Sequence, residues 1–176
     1  MAEAGKKNPG RQRRFFVLHG LFLALLTAVT LAACGKSGKA VAVPDRPDSP
    51  VVDLADVFTP EEEEMLLETI RQFERSSCGE LFIMTVPTTG GVPIEEFSLE
   101  NANKWMLGKD KGGGVLLTLA VNDRRNRIEV TRPWEDVLTD PRCGDILRSI
   151  VPELRAEDYA GACAKAVRAM EVFFPK

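Results

Sequence analysis

Gly112-Gly113-Gly114-Val115-Leu116-Leu117-Thr118-Leu119-Ala120-Val121, then Asn122-Asp123-Arg124-Arg125-Asn126, then Arg127-Ile128-Glu129-Val130-Thr131 is the stretch that decides the fold. The run Val115–Val121 is nearly all apolar, which predicts a strand covered on both faces. The polar residues 122–126 are too short a link for a crossover, so the strand over 127–131 returns antiparallel as a hairpin. The three glycines precede a strand rather than a helix and lack a following Lys-Ser/Thr, so they read as a turn and not a phosphate loop.

Working outward, Leu81-Phe82-Ile83-Met84-Thr85-Val86, closed by Pro87, predicts a second buried strand. Upstream of it a helix begins at Thr59. Thr59 suits the N-cap, Pro60 the first helical position, and Glu62 the return partner of a capping box. The acids Glu61 to Glu64 are placed to meet the helix dipole, which explains them more simply than a metal site does. Leu66, Ile70 and Phe73 mark its buried face, and Ser76 to Gly79 end it. Ile94, Phe97, Ala102 and Trp105 give a second amphipathic helix that stops near Gly108; two more are predicted at about Thr139–Val151 and Glu157–Phe174. The order α-β-α-ββ-α-α implies an α/β fold, a three-layer αβα sandwich around a small mixed β-sheet.

The N-terminus has the anatomy of an export signal. Lys6, Lys7, Arg11, Arg13 and Arg14 precede the apolar run Phe15–Ala33, and Leu31-Ala32-Ala33-Cys34 resembles a lipoprotein cleavage site. Residues 1–33 are therefore expected to be a signal peptide and Cys34 the acylated anchor; an uncleaved membrane helix is the alternative, since the run nears the span of a bilayer. Either places the folded part outside the cytoplasm. Gly35, by similarity to Gram-negative sorting rules, favours the outer membrane and its periplasmic face. Residues 34–50, with Gly35, Gly38 and the prolines 44, 47 and 50, read as a flexible tether, and 51–176 as one domain. Loss of the signal leaves 18 basic and 25 acidic side chains. That balance argues against a nucleic-acid partner, and Arg124-Arg125-Asn126-Arg127 reads as a solvated turn.

The ordered pieces resemble the TPM domain family across residues 51–173. Val52-Asp53-Leu54-Ala55 with Thr59, Ile94-Glu95-Glu96-Phe97 with Trp105-Met106-Leu107-Gly108, Gly114-Val115-Leu116-Leu117, Asp123-Arg124, Arg127-Ile128-Glu129, Glu135 with Leu138-Thr139-Asp140, and Asp158-Tyr159 with Gly161 carry the resemblance. Two departures stand out. The family's usual Asn before Gly-Val-Leu is Gly113 here, and its usual Gly-Tyr-Gly-Leu-Glu is Thr131-Arg132-Pro133-Trp134-Glu135. The resemblance implies a Ca²⁺ site, weak acid phosphatase activity in some relatives, and links to membrane complexes, photosystem II repair among them.

The residue inventory limits the chemistry. His19 is the only histidine and lies in the expected signal, so Ser-His-Asp and Cys-His nucleophiles and histidine zinc ligands are excluded from the mature chain. Carboxylates remain: Asp53, Glu135 and Asp140 are the candidate ligands of Ca²⁺ or Mg²⁺, with Asp136 and Asp123 in reserve. Capping or solvation is the simpler role for each alone. Cys78, Cys143 and Cys163 remain besides Cys34, without a Cys-x-x-Cys pair; in an oxidising compartment, a strand order that places Cys78 and Cys143 at one end of the sheet predicts a Cys78–Cys143 disulfide and a buried Cys163. Two functions follow: a non-catalytic protein-interaction module aiding assembly or repair of a membrane complex, or a divalent-metal-dependent weak acid phosphatase.

Overall fold

The computed structural model describes residues 42–174, so the signal stretch 1–33, Cys34 and the first part of the linker lie outside the described residues. One four-stranded sheet contains β1 (Val51–Asp53), β2 (Glu80–Val86), β3 (Gly114–Ala120) and β4 (Arg125–Val130), in that spatial order. β1, β2 and β3 run parallel, and β3 and β4 form the expected antiparallel hairpin. The hairpin turn is tighter than the sequence suggests. Arg124 adopts a left-handed conformation (φ 52°) and donates its N–H to the Val121 carbonyl at 3.2 Å, so pairing begins at Ala120↔Arg125. β1 was not expected; three residues carry no periodic signal, and its register (Val51↔Ile83 to Asp53↔Thr85) is supplied by β2.

Every residue of β2 and of β3 is buried. On one face Leu81, Ile83, Val115, Leu117 and Ile128 pack beneath α1 (Pro60–Ser77), α3 (Asp140–Ser149) and α5 (Tyr159–Glu171). On the other, Phe82, Met84, Val86, Leu116 and Ala120 pack against α2 (Ile94–Lys104) and Trp105. The result is the expected three-layer sandwich. A short α4 (Val151–Arg155) follows α3, where buried Ile150 ends one helix and Pro152 opens the next. β1, β2 and β3 are parallel neighbours in sequence order, yet α1 and α2 cover opposite faces. The two crossovers are therefore of opposite hand, and one belongs to the rare left-handed class.

The capping box forms as read: Thr59 Oγ1 accepts from the Glu62 amide at 3.2 Å, and Glu62 Oε2 accepts from the Thr59 amide at 2.8 Å. Such a cap stabilises a helix by about 1 kcal/mol.

The tether expected through Pro50 ends earlier. Residues 43–50 lie on the α2 side as a strap. Trp105 Nε1 donates to the Pro44 carbonyl at 3.1 Å, and Lys104 Nζ to the Val43 carbonyl at 3.0 Å. The Arg46 guanidinium pairs with Glu80, donates to the Trp105 carbonyl, and lies over the Phe82 ring at 5.3 Å. Glu80 explains the docking. This carboxylate heads a buried strand and is itself 8% exposed; its other oxygen accepts the Gly108 amide at 2.9 Å. A carboxylate this dry must be paired, and Arg46 pairs it.

The two departures from the family pattern meet in space. Trp134, in a 3₁₀ turn over Arg132–Trp134, lies against Phe73 (centroids 6.0 Å apart) and Phe174 (4.6 Å). A Cβ on Gly79 would lie 1.9 Å from its indole, and one on Gly113 2.4 Å. Gly113 thus makes room for a ring that a leucine at 134 would not need. Gly113→Ala should destabilise the domain by about 1–3 kcal/mol through overpacking. Gly113→Asn with Trp134→Leu should lose at least 0.5 kcal/mol less than the sum of the single changes, as residues in contact couple by about that amount or more; urea denaturation of the four proteins checks both.

Candidate functional site

The three expected metal ligands do not converge. Asp53 pairs with Thr85, which pairs with Leu119, which faces Asn126 at the start of β4. Glu135 instead follows Val130, which pairs with Val115 at the other end of β3. Three strand spacings of about 4.8 Å separate the edges as well. Asp53 is also fully engaged: Oδ2 accepts the Val57 and Phe58 amides at 2.8 Å each, and Oδ1 accepts the Thr85 hydroxyl. It closes the loop that leads into α1. Contrary to expectation, Asp53 does not join Glu135 and Asp140, because strand direction sends it to the opposite end.

Glu135 and Asp140 do share a groove of about 520 Å³ beside edge strand β4, with Arg127 and Thr139 also lining it. Asp140 occupies the first turn of α3, with Thr139 rather than Asp140 in the N-cap position. Two carboxylates offer at most four of the 6–8 oxygens that Ca²⁺ takes, and the cationic residue Arg127 lines the same groove. These side chains do not make up a calcium site by themselves. Among the described residues, no group of three or more His, Cys, Asp or Glu side chains is placed to hold a metal ion.

Asp123, a reserve ligand, is likewise committed. Its Oδ1 accepts the Thr88 hydroxyl at 2.8 Å, and Oδ2 accepts the Thr89 amide at 2.8 Å and hydroxyl at 3.2 Å. The Thr89 amide chiefly holds its carboxyl below the usual aspartate range, opposed by burial and helped by the two hydroxyls and the Arg125 charge. It ties the hairpin turn to the loop after β2.

The sulfur atoms do not match the expected bridge. Cys78 and Cys143 follow the same end of the sheet, but both are free thiols, as is Cys163. Cys78 is exposed at the left-handed C-cap of α1 (φ 57°), whereas Cys143 turns into the core with Sγ 3.6 Å from the Leu138 carbonyl. Burial, with the Asp140 charge, pushes the Cys143 thiol up to about 11; burial likewise raises Cys163. Cys163 is the buried core residue expected.

At the opposite end from Glu135 lies a cleft of about 350 Å³. Arg124 and Arg125 of the hairpin turn, Arg155 of α4, and Glu157 and Tyr159 at the start of α5 surround it. The arginines of the turn, expected to be solvated, meet Arg155 here; nothing local in the sequence links them across thirty residues. The Arg46–Glu80 pair was missed too, although a lone charge heading an apolar strand was its available signal.

The TPM domain profile matches residues 51–172. Three solved bacterial structures share the fold. The N-terminal domain of a P. gingivalis protein is 29% identical, with TM-score 0.63, over 71% of this chain and 81% of that one. The N-terminal domain of the cg2496 protein from Corynebacterium glutamicum is 17% identical, TM-score 0.60, over 79% and 89%. The BA42 protein from Bizionia argentinensis is 21% identical, TM-score 0.53, over 67% and 84%. No curated protein matches the chain.

Two outcomes are expected. In the native protein a maleimide labels Cys78 rapidly, and Cys143 and Cys163 react only on unfolding; a single reactive site among the three after unfolding without reductant would restore the disulfide. A depressed folded-state pKa contributes stability above the unfolded value that is lost as pH falls through the folded one. The stability lost in Asp123→Asn should thus be full at pH 6 and shrink below about pH 4, read as urea midpoints against pH.

Proposed function

The chain belongs to the TPM domain family, and from that premise we propose that it is a cell-envelope lipoprotein whose TPM domain is a non-catalytic protein-interaction module for assembly or repair of a membrane complex. Acylated Cys34 tethers it to the membrane on the periplasmic face, the outer membrane in a Gram-negative host.

The observation that supports a non-catalytic role is the engagement of Asp53. Both its oxygens already accept the Val57 and Phe58 amides and the Thr85 hydroxyl, at the far end of the sheet from Glu135 and Asp140. For a protein partner, the α2 layer offers exposed apolar side chains spaced by seven: Val92 (36% exposed), Leu99 (48%) and Met106 (56%). Leu99 lies on α2 itself, Val92 in the loop before it and Met106 just after it, at φ 50°. The groove that holds Glu135 and Asp140 together supports the second reading, a Ca²⁺- or Mg²⁺-dependent weak acid phosphatase.

A photo-crosslinker at Leu99 should join the protein to a defined membrane partner, whereas one at Arg75, on the opposite layer, should not; Leu99→Glu should release that partner. Hydrolysis of a generic phosphate ester should be equally low in wild type and Glu135→Ala, and calcium should leave the melting temperature unchanged. A ligand that binds only the native state must raise it, so a calcium-dependent rise together with hydrolysis lost in Glu135→Ala would establish the phosphatase instead.

A further inference from the structure

Among the described residues, Arg124, Arg125 and Arg155 enter none of the ion pairs. All three line one cleft, in a chain that is acidic overall once its signal is set aside. Like charges gathered with no carboxylate in ion-pair contact repel one another, the nearby Asp123 charge offsetting only part of this at Arg125, and an anion bound between them relieves that repulsion. Glu157 is the one carboxylate in the lining, and Asn126 and the half-buried Tyr159 supply neutral hydrogen-bonding groups.

The backbone around the cleft is fixed and strained. Arg124 and Glu157 both hold left-handed conformations, φ 52° and 59°, which side chains other than glycine's adopt at a cost. The Glu157 amide donates to the Leu154 carbonyl at 3.2 Å, and Asp123 anchors the turn that carries Arg124 and Arg125. Strained residues cluster at ligand clamps. The floor is Leu119, Ala120 and Val121, at the carboxyl end of a parallel strand, where open α/β sheets take their ligands. The volume is at the lower limit for small-molecule sites, which suits a compact head rather than a nucleotide-sized body.

We propose that this cleft binds a small multivalent phosphate group, held by Arg124, Arg125 and Arg155. This goes beyond the interaction role of the α2 layer and does not depend on it. The same chemistry could arrive as a free phosphate compound or as an anionic lipid headgroup.

Calorimetry on the full chain in neutral detergent, with inorganic pyrophosphate and with glycerol phosphate as the headgroup fragment, distinguishes the two by which binds more tightly. Arg125→Ala and Arg155→Ala should each weaken the tighter ligand at least tenfold, and added salt should weaken it in the wild type. Arg132→Ala, an exposed arginine outside the cleft, should change nothing. Arg124→Gly provides a second readout: it should weaken binding tenfold while leaving the melting temperature equal or higher, since glycine suits φ 52°. Absence of binding by both probes, wild-type affinity in the arginine variants, or equal weakening by Arg132→Ala would each overturn the proposal.

Discussion

β2 and β3 are buried along their whole length on both faces, and the rest of the architecture answers to that constraint. A strand pair with no solvent face needs a helical layer on each side. It gets Leu66, Ile70 and Phe73 of α1 with α5 on one side, and Ile94, Phe97 and Trp105 on the other. The same dryness forbids an unpaired charge at the strand head. Glu80 therefore draws in Arg46 and the Gly108 amide, which brings the polypeptide before β1 onto the α2 layer. Crowding at the head of β2 and β3 also leaves only glycine at 79 and 113, where the Trp134 ring lies.

The parts legible in the sequence are those whose signal is local. The buried strands announce themselves as apolar runs, and Thr59 with Glu62 fixes the start of α1 through a bond pair three residues apart. β1 was not legible because its only reason to be a strand is the exposed edge of β2. The strap was misread for a related cause: proline, aspartate and serine between 44 and 50 look like a linker, and only the buried partner of Arg46 makes them stay. The ligand set failed on topology. Glu135 and Asp140 are close in sequence and remain close in space, while Asp53 depends on strand direction that composition does not reveal.

The two ends of the sheet differ in how their charges are used. At the end that carries the arginine cleft, three acids are occupied by neighbouring backbone, while Glu157 lines the cleft. Asp53 takes two amides, Asp123 takes Thr89, and Asp158 takes the Gly161 amide at the start of α5. Acids engaged this way order loops and form no ion pair with Arg124, Arg125 or Arg155, although the Asp123 charge still acts on Arg125. At the other end Glu135 and Asp140 stay exposed, and Arg127 is held by Glu129. A count of charges would call the whole domain acidic, yet the lining of the arginine cleft carries three arginines to one glutamate.

The strap has a mechanical consequence. A pull applied to the chain from its N-terminal side meets the Val43, Pro44, Asp45 and Arg46 contacts before it reaches β1. These would yield one after another, as a zip does, before load reached the three-residue edge strand beneath. Tension would thus first uncover Trp105 and Glu80 and leave the central strands seated, making residues 43–50 the mechanical fuse of the domain.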